Sequence, residues 1–317
     1  MDLSFRSSEI GVTMNIAQRS IDLIGNTPVQ VLNNIREDSE GQIWGKLEYL
    51  GPGSSIKDRI AKFMVEKAED SGELQSGFTI IEATAGNTGV GLALVAAAKG
   101  YNFVCIMPQK FSLEKQQLIE FMGGKVLRTP TEDGMKGAIA KAEEIRAELG
   151  KAWIANQFSN SDNPLCHYQT TGHEIWKQTE GKVTHIALGA GTGGTFTGVS
   201  RYLKEKNPDV KCYVVEPQGS ILGGGEYKEY WVEGIGNSFF PDTLDMSLAD
   251  GVISIPCEDS KAMVRTLAEK EQILAGGSTG ANVVAAKQLA RQGGPESLVV
   301  TVICDRMERY MSKGIME

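Results

Sequence analysis

The chain is predicted to fold as an α/β protein, with mostly parallel sheets covered by helices. Three observations predict it. Short apolar, β-branched runs alternate with longer amphipathic stretches. The order is repeatedly strand then helix, the way parallel strands are connected. Glycine-rich segments fall where a strand run gives way to a helical one, the place where open α/β sheets bind ligands. With 317 residues, 41% of them apolar, the chain has the length of about two lobes. No Pro/Ser-rich linker or internal repeat interrupts it, so the lobes must pack closely.

The elements follow in order. Lys57–Ser71 has apolar residues at helical spacing, with Ile60, Met64, Val65 and Ala68 on one side. Thr79–Ala83 is a short β-branched run, and Asn87–Lys99 after it is an alanine- and leucine-rich helix ended by Gly100. Asn102–Met107 repeats the strand pattern. Leu113–Met122 and Gly134–Leu149 are amphipathic helices, the second closed by Gly150. Pro164–Gln178 is read as one helix with proline in its first turn. His185–Leu188 leads into a helix over Thr195–Lys206, and Cys212–Glu216 is the next strand. Ser260–Glu271 and Thr279–Gln292 are helices, and Leu298–Cys304 is a continuous apolar strand.

Composition excludes several functions. The net charge is −8, with acidic and basic residues mixed throughout, which is wrong for a nucleic-acid or anionic-membrane partner because phosphate contacts need clustered cations. No stretch has the length and apolarity of a membrane span. The five cysteines (Cys105, Cys166, Cys212, Cys257, Cys304) show no C-x-x-C spacing, and the three histidines form no ligand pattern. Neither a metal site nor a disulfide framework is expected, and a reducing cytoplasm fits best. The first residues lack the apolar core of a signal peptide, and Met14 is an alternative start.

Three loops carry candidate chemistry. Gly53-Ser54-Ser55-Ile56-Lys57-Asp58-Arg59 sets a lysine at a helix start. Thr84-Ala85-Gly86-Asn87-Thr88-Gly89 combines glycine, hydroxyl and amide groups. Gly189-Ala190-Gly191-Thr192-Gly193-Gly194-Thr195 joins a strand to a helix, where unhindered backbone N–H groups can converge on a phosphate. A lysine, a phosphate cup and nearby polar groups together point to a covalently anchored cofactor. The third loop also satisfies G-x-G-x-x-G through Gly189, Gly191 and Gly194, with Glu216 about where a dinucleotide fold places its ribose-binding acid. A nicotinamide dehydrogenase and a non-enzymatic phosphate-ligand sensor are therefore rival readings. The lysine loop discriminates, because a dehydrogenase has no need of it.

In order along the chain stand Ile24-Gly25-Asn26-Thr27-Pro28, Lys46-Leu47-Glu48, Ser55-Ile56-Lys57-Asp58-Arg59 and Thr84–Gly89. Asn156-Gln157-Phe158, Gly191–Thr195, Glu233-Gly234-Ile235-Gly236 and Gly276-Gly277-Ser278-Thr279-Gly280 follow, and the match runs on to Asp305-Arg306 and Arg309-Tyr310. On these motifs the chain resembles the cysteine synthase and cystathionine β-synthase family, fold-type II pyridoxal-phosphate enzymes of β-replacement with a two-lobed, tryptophan synthase β-like fold. The resemblance is strongest to bacterial members that use O-acetylserine.

The resemblance implies that Lys57 forms the internal Schiff base with pyridoxal 5′-phosphate and later acts as the base at Cα. Gly191, Thr192, Gly193, Gly194 and Thr195 would hold the phosphate, Asn87 the 3′-oxygen, and Ser278 the pyridine nitrogen. Thr84, Ala85, Gly86, Asn87, Thr88, Gln157 and Gly234 would form the substrate site. The implied reaction replaces the β-substituent of an activated serine, most simply O-acetyl-L-serine, with sulfide or a thiol. It passes through an α-aminoacrylate to L-cysteine or cystathionine. A 2,3-diaminopropionate-type synthase and a cysteine or serine β-lyase remain alternatives on the same fold.

The resemblance further implies a cytoplasmic homodimer. A larger lobe would comprise residues 1–48 and 161–317, and a smaller mobile lobe residues 49–160, its Phe111–Gln116 region closing on substrate. The chain ends at Glu317, so the regulatory domains of animal cystathionine β-synthases are not expected. Three departures stand out. Ser54 replaces a glycine of the lysine loop, Ala85 replaces a serine common in cysteine synthases, and Met307 stands where a small residue is usual, close to the expected cofactor ring.

Overall fold

The structure is a computed structural model that describes residues 16–84 and 86–315. Met14 and Ala85 lie outside the described residues.

In chain order the elements are β1 (Val29–Val31), β2 (Gln42–Leu47), α1 (Lys57–Ser71), β3 (Thr79–Ala83), α2 (Asn87–Lys99), β4 (Asn102–Pro108), α3 (Leu113–Phe121), β5 (Lys125–Thr129), α4 (Gly134–Leu149) and β6 (Ala152–Ile154). Next come α5 (Asp162–His167), α6 (His173–Gln178), β7 (His185–Gly189), α7 (Gly194–Lys206), β8 (Lys211–Pro217), β9 (Gly251–Ile255), α8 (Cys257–Glu271), α9 (Gly277–Gly293) and β10 (Leu298–Ile303). A short 3₁₀ stretch, Met307–Lys313, follows the last strand.

The strands form two sheets. One has six strands in the order β1-β2-β10-β7-β8-β9, and the other has four in the order β5-β4-β3-β6. All pairings are parallel except β1 with β2. The smaller sheet is built wholly from residues between 79 and 154, and the larger from residues before 48 and after 184. Each is covered on both faces. Ile60, Met64 and Val65 of α1 and Val90, Leu92 and Val95 of α2 pack with Ile80 of β3 and Phe103, Cys105 and Met107 of β4, while Ala138 and Ala142 of α4 close the other face. Around the larger sheet, α9 fills one face with Ala281, Val283, Ala285 and Leu289, and α7 the other with Phe196, Val199 and Leu203.

The predicted helices and strands are all present, with ends moved by a few residues. The segment read as one helix over Pro164–Gln178 departs from expectation. It carries a π-helical turn at Tyr168–Gly172 between α5 and α6, a distortion that periodicity does not announce. Strands β1, β2, β5, β6 and β9 were not anticipated, for local reasons. β1 and β6 have three residues each. β5 and β9 are edge strands, with Lys125 and Arg128 or Ser254 breaking the apolar run. β2 holds Gly45 and Lys46, residues that read as non-strand.

Lys46 belongs to a buried ionic cluster. Its ammonium lies 2.7 Å from Glu174, and Arg59 lies 2.6 Å from Glu48 and 2.7 Å from Glu174. Thr27 Oγ1 donates to Glu48 at 2.7 Å and accepts from Arg59 at 3.1 Å. The Ile24–Pro28, Lys46–Glu48 and Ser55–Arg59 motifs thus meet α6 in one network of two cations and two carboxylates. Although burial pushes the Glu174 carboxyl up, Arg59 and Lys46 hold it at about 2. This cluster fixes the first turn of α1, and with it Lys57.

Candidate active site

The first turns of α1, α2, α7 and α9 open on one cavity of about 940 Å³, which Lys57, Asn87, Thr88, Thr195 and Ser278 help to line. Thr84, Gln157, Gly191, Thr192 and Gly234 also line it. The structure therefore gathers residues separated by more than 200 positions in the chain. The volume lies in the upper range for small-molecule and cofactor sites.

Three further glycines of the predicted site are tightly packed against their neighbours. A Cβ on Gly86 would sit 2.3 Å from the Lys115 side chain, and one on Gly193 2.4 Å from Leu244. A Cβ on Gly194 would sit 2.0 Å from Asn163 Oδ1. Gly191 lines the cavity, and its Cβ would lie 2.3 Å from the Gly234 carbonyl. The phosphate-type loop can approach the Gly234 carbonyl this closely only because Gly191 carries no side chain.

Lys57 is half-buried and lines the cavity. Desolvation by the surrounding walls lowers its pKa, against the opposing pull of Cys304 and Asp305. Ser278 is almost fully buried. Thr88 donates to Gln157 Oε1 at 2.6 Å, and Gln157 Nε2 donates to the Ala83 carbonyl at 3.3 Å, so the two polar loops brace each other.

Several supporting residues escaped the sequence reading. Glu82, at the end of β3, accepts from the backbone N–H groups of Asn156 at 2.8 Å and Gln157 at 3.2 Å, which pins the Asn156–Phe158 turn. Burial pushes its carboxyl up to about 8 against those hydrogen bonds. A lone glutamate inside Thr-Ile-Ile-Glu-Ala was the available signal. Asn163 donates to the Gln157 carbonyl at 2.7 Å and to Thr192 Oγ1 at 3.0 Å, joining two loops of the site. His167, buried, lies 2.8 Å from Thr171 Oγ1 and 3.1 Å from Thr195 Oγ1. Burial drives its pKa well down, so the ring is neutral and can accept at one nitrogen. Nothing local marks Asn163 or His167, because their partners are distant in sequence.

The segment leading into α3 forms part of the cavity wall. Lys110, Phe111 and Lys115 line the cavity, and Lys115 forms a buried ion pair of 2.6 Å with Glu233. Ser312 N donates to Glu114 at 2.6 Å, and Lys313 donates to the Lys110 carbonyl at 2.8 Å. Ser54 takes a left-handed φ of 56° in the lysine loop, where a glycine would be unstrained. Met307 does not line the cavity. It packs with Val264, Tyr310 and Ile315 in a small apolar cluster.

The dehydrogenase reading fails on geometry. Glu216 gives both oxygens to its own chain, accepting from Leu222 N at 3.0 Å and Gly223 N at 3.1 Å. The pyridoxal-phosphate donor set does fit. An amine of lowered pKa, a glycine cradle at a helix N-terminus and a buried serine hydroxyl share one cavity. No group of three or more metal-ligating side chains occurs among the described residues, nor is any helix there long and apolar enough to cross a membrane.

Comparison with known proteins agrees. Residues 21–305 match the family model described as pyridoxal-phosphate dependent enzyme. The chain is 43% identical over 304 residues to the O-acetylserine dependent cystathionine beta-synthase of Bacillus subtilis, covering 96% of this chain and 99% of that one. It is 43% identical over 303 residues to a cysteine synthase of Staphylococcus aureus, covering 94% and 97%. The crystal structure of O-acetylserine dependent cystathionine beta-synthase from Helicobacter pylori superposes with a TM-score of 0.93 at 40% identity, covering 96% of this chain and all of that one. The chain belongs to the pyridoxal-phosphate dependent enzyme family.

Proposed function

We propose that this pyridoxal-phosphate dependent enzyme replaces the β-substituent of an activated serine, most simply O-acetyl-L-serine, with sulfide or a thiol. The products would be L-cysteine or cystathionine. The observation that carries the reading is the convergence of Lys57, the Gly191–Thr195 loop, Ser278 and the Thr84–Gln157 polar wall on one cavity. The similar proteins of B. subtilis, S. aureus and H. pylori bear names of this chemistry.

When bound, pyridoxal phosphate supplies an electron sink that eases loss of the Cα proton and of the β-substituent. The chain's own residues do the rest. Gly191–Thr195 offer backbone N–H groups and hydroxyls to the phosphate at the start of α7. Ser278 would face the ring nitrogen with a neutral hydroxyl, which does not force that nitrogen to be protonated. Asn87 would donate to the ring's phenolic oxygen. Lys57 would anchor the cofactor, and desolvation, which lowers its pKa, favours the neutral amine that would take the Cα proton. The loop Thr84–Thr88, with Gln157, holds the substrate carboxylate. Gly234 leaves open space beside it, since a Cβ there would meet nothing within 4 Å.

In the same proposal residues 49–160 move as a smaller lobe against residues 1–48 and 161–317. The Phe111–Gln116 region then excludes water from the reacting substrate. The assembly is a cytoplasmic homodimer, a setting that suits five free cysteines. Light scattering of the purified protein tests the dimer.

The deciding experiment adds O-acetylserine to the purified enzyme and follows the cofactor's visible band, then adds sulfide, homocysteine or an amine and identifies the product. A band that shifts with O-acetylserine and returns with sulfide or homocysteine is expected. An unchanged band rejects this donor, and return only with an amine replaces the nucleophile. Lys57→Ala should form no product, and full turnover by that variant would overturn the mechanism.

A further inference from the structure

Asn87 is held at both ends of its side chain. Nδ2 donates to Asp305 Oδ2 at 2.6 Å, and Oδ1 accepts from Arg309 Nη1 at 2.6 Å. A guanidinium can only donate and a carboxylate can only accept, so these two partners allow a single orientation of the amide. Nδ2 has a second hydrogen that neither partner takes. Asn87 lines the cavity beside Lys57.

Both partners come from the segment that follows β10, and both are tied to the lysine loop. The Asp305 backbone forms an antiparallel bridge with Ser55, and Arg309 Nη2 donates to the Gly53 carbonyl. Asp305 is fully buried, and the Tyr310 hydroxyl donates to the same Oδ2 that Asn87 uses. Its other oxygen, Oδ1, has no hydrogen-bond partner among the described residues. That oxygen occupies space made by Gly276, where a Cβ would lie 2.4 Å from Oδ1 and 2.5 Å from the Tyr310 ring. A buried carboxylate with one idle oxygen is costly to keep. Its working oxygen is spent on Tyr310 and Asn87.

We propose that Asp305 and Arg309 are positioning residues that lock the Asn87 amide with its nitrogen as donor, holding the free N–H for the phenolic oxygen of the cofactor. The inference rests on the functional reading above. An unrestrained amide could turn its oxygen toward that anionic atom and repel it. Fixing the donor in advance removes the ordering cost at binding.

The test is a double-mutant cycle on cofactor affinity, measured by titrating pyridoxal phosphate into the cofactor-free protein without substrate. Asn87→Ala should weaken binding about tenfold, the worth of one charge-assisted hydrogen bond. Asp305→Ala should do nearly the same, and the double variant should bind no more weakly than Asn87→Ala alone. Asp305→Asn, which keeps an acceptor for Asn87, should stay close to wild type. Wild-type affinity in Asp305→Ala, or effects that multiply in the double variant, would overturn the inference, since multiplication is what general damage produces. Should Asp305→Ala not fold, Arg309→Met with Asn87→Ala poses the same cycle. Wild-type protein that binds no pyridoxal phosphate overturns the functional reading and this inference together, whereas binding with a multiplicative cycle overturns the inference alone.

Discussion

Replacing Gly194 with alanine puts one methyl group into the most crowded point of the site. Gly194 begins α7, and its new Cβ would lie 2.0 Å from Asn163 Oδ1 and 2.4 Å from Asn163 Cγ. Asn163 is fully buried. Its displacement breaks the hydrogen bonds to the Gln157 carbonyl and Thr192 Oγ1. Two hydrogen bonds at about 1 kcal/mol each, plus about 1–3 kcal/mol of overpacking, set the gross loss. Alanine's better helix propensity returns about 1 kcal/mol, leaving a net destabilisation of about 2–4 kcal/mol. Because both lost bonds brace the phosphate-type loop, pyridoxal-phosphate affinity should fall about tenfold or more. Denaturant unfolding and cofactor titration measure the two effects. Gly100→Ala is the control, since Gly100 has a φ of 79° and nothing within 4 Å of an added Cβ. That variant should lose about 1–2 kcal/mol with cofactor affinity unchanged. Gly194→Ala protein within about 0.5 kcal/mol of wild type, with unaltered affinity, would refute the steric argument.

Other expectations follow from the same geometry. Burial pushes the Glu82 carboxyl up to about 8 from its ordinary 4.5, so between those values the folded state holds a proton that the unfolded chain has released. Stability should therefore fall as pH rises through that window, by about 1.4 kcal/mol per unit. Glu82→Gln should flatten the slope, and an unchanged slope in denaturant titrations from pH 5 to 8 would count against this origin. Ser54→Gly relieves a left-handed residue at φ 56° and should stabilise the protein by about 1 kcal/mol, read from the denaturation midpoint. Glu233→Ala leaves the buried Lys115 ammonium without its carboxylate, with only the Tyr310 ring 4.1 Å away, and should cost about 3 kcal/mol. The Lys115→Met/Glu233→Ala double variant should be more stable than Glu233→Ala alone, and the reverse order would exclude charge isolation as the cause.

Much of the molecule was legible in one dimension, and the reason is locality. Helices α1, α2 and α4 announce themselves through apolar spacing and a closing glycine, and β3, β4 and β10 through continuous β-branched runs. The glycine-rich loops report backbone requirements that side chains would violate, as at Gly191 and Gly194. Strands β2, β5 and β9 were illegible because their identity depends on neighbours. Lys46 belongs in a strand only because Glu174, on α6, neutralises it. The π turn before α6 was hidden for the same reason.

The sequence by itself determined the α/β class, the lysine loop and the glycine cradle, because each is set by residues next to one another in the chain. Only the tertiary structure decided that Glu216 serves its own loop, that Met307 packs away from the cavity, and that His167, Asn163 and Asp305 stand behind Thr195, Gln157 and Asn87. Those roles are hydrogen bonds and steric contacts between residues up to 218 positions apart. Such distances are closed by the folding of the sheets, which no local pattern encodes.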